Sequence, residues 1–206
     1  MNTHTFSRFA GWSAILTGVF GFLYALAYIV VARGNPGLGA MLSALFLLLG
    51  GLLTTPVVVE LFLRVREAQA GFAFLALLWS GMTALGAAIH GGYDLANALH
   101  SPGADQVGLS SLPSQIDPRG LLTFGLAGLG LFFFIWLLGR TGTLGRGLIL
   151  LGYISAVLLV LIYLARLILL EATNPFLVIL VVAEGFLVNP AWYVWLGTTF
   201  LVTGKA

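Results

Sequence analysis

Long apolar stretches follow one another along this chain with only short connectors between them, and no polar module separates them. A helix needs about 20 apolar residues to cross a hydrocarbon layer of about 30 Å. Six segments meet that length: 9–32, 39–63, 70–98, 120–139, 147–170 and 175–202. Gly34-Asn35-Pro36-Gly37, Pro102-Gly103, Asp117-Pro118 and Asn174-Pro175 punctuate the joints on one side, as turn-forming residues do. The joints on the other side are short and carry arginine. The pattern predicts an all-α, polytopic membrane helix bundle forming a single transmembrane domain over residues 1–206. The first apolar run exceeds the 7 to 15 residues usual for a signal-peptide core and further spans follow it, so it counts as a helix.

Charge gives the bundle a direction. Arg8, Arg64, Arg66, Arg140, Arg146 and Lys205 fall at one end, Arg33 and Arg119 at the other, and Arg166 lies inside the fifth span. The positive-inside rule makes the first end cytoplasmic, with both termini there. Trp12, Trp79, Trp136, Trp192 and Trp195 then fall in the cytoplasmic halves of their helices, where an interfacial aromatic belt belongs. The longest connector, 99–118, becomes a cap over the outer ends. Small residues crowd the third span (Gly81, Ala84, Gly86, Ala87, Ala88, Gly91, Gly92) and the fourth (Gly125, Ala127, Gly128, Gly130), which predicts close packing between those two helices.

Composition narrows the classes. Of 206 residues, 60% are hydrophobic and 8% charged, where a soluble domain carries about 25% charged residues. The net charge is only +2 and the basic residues are scattered singly, so no stripe exists to follow a nucleic-acid backbone. The chain has no cysteine, which removes disulfides, thiolate metal sites and a thiol nucleophile together.

Ionisable residues at membrane depth are costly and usually mark function. At 1.5 Å per residue, Glu184 lies about 14 Å below the outer end of the sixth span and His90 about 12 Å below that of the third. His90, Asp94 and Asn97 stand at i, i+4 and i+7 on one face, with Tyr93 beside them. On the fifth span Tyr163 and Arg166 are three residues apart, and Arg166 either snorkels outward or turns inward to an acid. The expected site is therefore an outer-facing pocket lined by His90, Tyr93, Asp94, Asn97, Tyr163, Arg166 and Glu184. A purely structural reading stands beside it, in which a His–Asp bond and an Arg–Glu pair only hold helices together. A zinc or di-iron site would need a second His or a repeated Glu-x-x-His pattern, and neither is present, so no metal and no cofactor is expected.

Pro56 and Asn189-Pro190 place prolines inside the second and sixth spans, each freeing a carbonyl that polar side chains can satisfy. Glu60 and Glu67, close to Arg64 and Arg66, read as a solvated or interfacial charge cluster. The stretch from Asn189 to Tyr193 also fits the Asn-Pro-x-x-Tyr letters of seven-helix receptors, but six spans and the lack of other receptor motifs speak against that kinship.

Three segments carry a resemblance: His90-Gly91-Gly92-Tyr93-Asp94-Leu95-Ala96-Asn97, Asp117-Pro118-Arg119-Gly120-Leu121 and Asn189-Pro190-Ala191-Trp192-Tyr193. In these the chain resembles uncharacterised small bacterial six-helix integral membrane proteins. That resemblance implies a multi-pass place in the bacterial inner membrane and transfers no activity.

The leading expectation is a non-enzymatic membrane protein that binds a small amphipathic ligand or membrane lipid headgroup, with no catalytic residue assigned. An accessory subunit working beside other membrane subunits is the alternative. A membrane-embedded hydrolase or transferase with His90 as general base lacks a nucleophile within reach, since Ser80 and Ser155 lie about 15 Å or more away in depth. A coupled transporter using Glu184 lacks the expected inverted repeat.

Overall fold

A computed structural model describes residues 3–100, 116–117, 119–169 and 174–203. Among them there is no strand, and six helices are long and apolar enough to cross a membrane: α1 His4–Gly34, α2 Pro36–Val65, α3 Ala70–Leu99, α4 Leu121–Thr141, α5 Arg146–Ile168 and α6 Pro175–Thr203. The sequence expectation is met in number and order. The helices overrun their apolar cores by up to five residues, because a helix continues through polar flanks until a stop signal appears.

The stop signals are local. Asn35 forms the one-residue joint between α1 and α2, and its side chain accepts from the Leu38 amide at 3.1 Å while Pro36 takes the first helical position. Asn174 caps α6 in the same way, accepting from the Phe176 amide at 3.0 Å ahead of Pro175. Proline at that position gives up an amide that would have been unpaired anyway. At the other end Gly142 closes α4 with φ of 66°, and its amide bonds Leu138 O at 3.1 Å, the left-handed stop that glycine permits.

Each helix packs on its chain neighbours and α6 returns to α1, so the six form a closed ring, with α2 also touching α4 across the middle. The apolar core fills the end of the ring near Arg64, where Val57, Leu61, Phe134, Leu138, Leu148, Leu196 and Phe200 are buried. Trp192 belongs to this core at 1% exposure and so leaves the expected aromatic belt, whereas Trp12 and Trp195 remain exposed. A smaller cluster of Ile162, Ala165, Leu177 and Leu180 holds α5 to α6 toward the Asp117 end. The outward faces are apolar as well, with Ile89, Leu150, Ile179 and Leu187 exposed.

Small residues bring backbones together, though not only where expected. A Cβ on Gly51 of α2 would lie 2.5 Å from Ala88 N and 2.7 Å from Ala84 O, and one on Gly91 of α3 would meet Ala44 O at 2.7 Å. The small face of α3 thus receives α2, while α3 and α4 approach closely where Gly130 meets Ser80. Gly128 of α4 turns instead to Ala156 of α5.

Three segments wind as π-helix: Ala27–Val31 in α1, Leu121–Leu126 opening α4, and Ala183–Val188 in α6. Single π turns inside helices recur at functional sites. In α6 the wide turn lies just before Pro190, which has no amide to offer the Phe186 carbonyl. In α2 the freed carbonyl before Pro56 is that of Leu52, and Thr55 Oγ1 donates to it at 2.5 Å.

Candidate functional site

The Asp117 end of the ring gathers charge. On α3, His90 Nε2 lies 3.0 Å from Asp94 Oδ2, with the His90 side chain 14% exposed and that of Asp94 40%. The other imidazole nitrogen, Nδ1, is buried with no partner among the described residues. On α5, the Arg166 guanidinium stands 5.3 Å from the Phe124 ring centroid of α4. Its NH1 reaches the backbone at Gly120, where an added Cβ would lie 3.1 Å away. Gly120 has φ of 78°, a left-handed conformation that suits glycine.

Tyr24 of α1 joins these elements. It interacts electrostatically with Arg166, Asp94 and Asp117 and stacks on Tyr28 with ring centroids 5.9 Å apart. Tyr24 of α1 is thus within range of charges on α3, on α5 and on the approach to α4, while Arg166 itself lies against the first residues of α4. Among the described residues no carboxylate lies within ion-pair distance of it.

Asp117 is fully engaged. At 3% exposure it accepts from the amides of Leu122 and Thr123 at 3.1 and 2.9 Å, and from Thr123 Oγ1 at 2.8 Å. Asp117, read as part of the turn punctuation, is thus an anchor for the start of α4. Tyr163 packs its ring on Gly125, 3.1 Å from where a Cβ would stand. Tyr93 is exposed, and Asn97 lies partly exposed one turn beyond Asp94. The greater part of the expected cap, 101–115, lies outside the described residues.

Glu184 keeps different company from that expected of it. It sits in the π segment of α6, 4% exposed, and accepts from Ser155 Oγ of α5 at 2.5 Å. Asn189 of the same helix approaches the carboxyl, whose second oxygen, Oε2, has no hydrogen-bond partner among the described residues. No contact joins Glu184 to His90 or Arg166 there. Among the described residues, short polar contacts thus tie His90 to Asp94 and Glu184 to Ser155, and none joins one pair to the other. A charged side chain at the centre of a transmembrane helix costs about 2.5–3.5 kcal/mol, so this second site bears on stability as well as chemistry.

The sequence reading missed Tyr24 and set Ser155 aside. A signal for the first was present: Ser13, Thr17 and Tyr24 lie on one face of α1 at i, i+4 and i+11, and Ser13 and Thr17 are buried. Of the solvated or interfacial cluster expected around Glu60, the structure excludes the solvated form for Glu60 itself. Glu60 is 4% exposed and accepts from Ser7 Oγ and Arg64 Nε, each at 2.8 Å. Arg64 lies 4.4 Å from the Phe200 ring centroid and donates to Thr203 at 3.2 Å. Glu67 and Arg66, 3.9 Å apart with side chains 90% and 53% exposed, form the expected surface pair.

Among the described residues no group of three or more His, Asp or Glu is gathered as a metal would require. A shallow apolar groove of about 170 Å³ runs between α4 and α5, lined by Gly128, Phe132, Ala156, Val157, Val160 and Leu161 and by no residue of either polar site. Compared with known proteins, the chain matches no family model, no curated protein and no solved structure.

Proposed function

We propose that the chain is a multi-pass protein of the bacterial inner membrane, with both termini in the cytoplasm. Its His90–Asp94–Arg166 site holds the polar head of a small amphiphile or lipid entering from the outer side. Six long apolar helices with apolar outward faces support the location. In water such contiguous exposed apolar surface would drive aggregation.

The observation that carries the binding role is the convergence on Tyr24, within electrostatic reach of Arg166, Asp94 and Asp117 from three other parts of the fold. Polar groups converging in an apolar frame are the usual mark of a ligand site. The guanidinium suits two-pronged recognition of phosphate or carboxylate, and Tyr24 lies within range of that positive charge and of the negative charge of Asp94, which is paired with His90. That mixture favours a zwitterionic head over a purely anionic one. Catalysis finds less support, because Ser155 is fully enclosed and Ser80 is buried against Gly130.

Native mass spectrometry of protein purified in mild detergent tests the reading. A retained lipid or amphiphile mass should persist in Glu184→Gln and fall at least tenfold in occupancy in Arg166→Ala and Asp94→Asn. Equal retention by all variants, or bare protein throughout, refutes it, and stoichiometric partner chains in place of lipid would turn the assignment to an accessory subunit.

A further inference from the structure

We infer that Glu184 and Ser155 form an intramembrane site for a small monovalent cation, a proton or sodium, separate from the site around Tyr24. The carboxyl is almost wholly enclosed, the Ser155 hydroxyl donates to it, Asn189 stands beside it, and both of these neighbours are neutral. Among the described residues no Lys, Arg or His comes within ion-pair distance of it. A bare carboxylate so placed has no counter-charge, and a buried charge without one is strongly destabilising. A positive charge bound at the carboxyl removes the imbalance.

The free oxygen gives that charge a place. Oε2 is buried and unpartnered, Asn189 stands beside the carboxyl, and the π turn from Ala183 to Val188 opens the backbone around it. Carboxylate, hydroxyl and amide are hard oxygen-bearing groups, suited to a proton or sodium rather than a soft metal. Trp192 Nε1 is also buried and unpartnered, against Gly152. Gly152 is one turn from Ser155 on α5, which leaves a polar atom nearby to hold a water.

The ionisable groups on the elements packed against this site are few. Tyr193 of α6 senses the Glu184 charge and lies against Thr54 of α2. Away from the helix ends, α1 offers Tyr24 and Tyr28, and α5 offers Tyr153, Tyr163 and Arg166; His4, Arg8 and Arg33 of α1, Glu60 and Arg64 of α2 and Arg146 of α5 lie toward the ends. Tyr24 and Arg166 belong to the other site.

The test is the thermal unfolding midpoint of the intact purified protein, measured from mildly acid to mildly alkaline pH in sodium chloride and in choline chloride of equal ionic strength. The wild type should gain several degrees either as pH falls, in both salts, or on exchanging choline for sodium at fixed pH. The first outcome identifies a proton and the second sodium. Glu184→Gln, neutral by construction, should lose that response. Ser155→Ala keeps the carboxyl and should keep the response with its midpoint moved, which covers the case of a Gln variant that does not fold. A wild type indifferent to both, or a response unchanged in Glu184→Gln, overturns the inference.

Discussion

At the scale of single residues, the fold is most sensitive where a hydrogen atom stands in for a side chain. Gly51 has backbone atoms of α3 within 2.7 Å of the place its Cβ would occupy, and backbone cannot rotate away as a side chain can. Gly51→Ala should therefore destabilise by about 1–3 kcal/mol, the usual cost of overpacking, and lower the unfolding midpoint. Gly71→Ala, at the start of α3 with nothing within 4 Å, should leave that midpoint unchanged or slightly raised. This contrast was not legible in the sequence. Both glycines sit in apolar helices, and only the azimuth of each about its helix axis, set by packing, tells them apart. The same reason hid the separation of Glu184 from His90. Counting residues gives depth, but where nearly every position is apolar no stripe shows which way a side chain faces. The burial of Glu60 was hidden for a related cause, since proximity to Arg64 and Arg66 in sequence says nothing of Ser7 donating to it from α1 or of Phe200 lying against its partner Arg64.

At the scale of elements, what the sequence announced was length and punctuation. Twenty apolar residues between Asn-Pro and arginine-bearing joints leave little choice but a helix, and all six spans were readable on that ground. The π segments were not, because an i to i+5 bond such as Asn189 N to Glu184 O is a register choice made by the fold around it. At α4 that choice is tied to one side chain. Asp117 takes both the Leu122 and Thr123 amides and the Thr123 hydroxyl. Asp117→Ala should cost about 0.5–2 kcal/mol, the range for losing a helix N-cap. Hydrogen exchange should rise at Leu122 to Leu126 while the middle of α4 stays protected. Uniform loss of protection along α4 would show that Asp117 supports the whole helix rather than its first turns.

At the scale of the whole molecule, the charge asymmetry makes a prediction about sidedness. The chain has no cysteine, so single cysteines can report on it without background. Glu67→Cys, exposed in the joint between α2 and α3, should react with a membrane-impermeant maleimide only after the inner membrane is opened. Gly37→Cys, at the opposite end of α2, should react in intact spheroplasts. The reverse pattern would invert the protein and move the Tyr24 site to the cytoplasmic side.

The ring also fixes an order of assembly. Its closing seam joins α1 to α6, with Gly11 against Leu201, Gly18 against Pro190 O and Gly21 against Asn189. During synthesis four helices separate α1 from α6, so that glycine-lined face of α1 stays uncovered until α6 is made. Glu184 arrives with α6, after its serine partner on α5. A chain cut before α6 would therefore lack the seam that closes the ring and leave the Ser155 hydroxyl without its carboxylate.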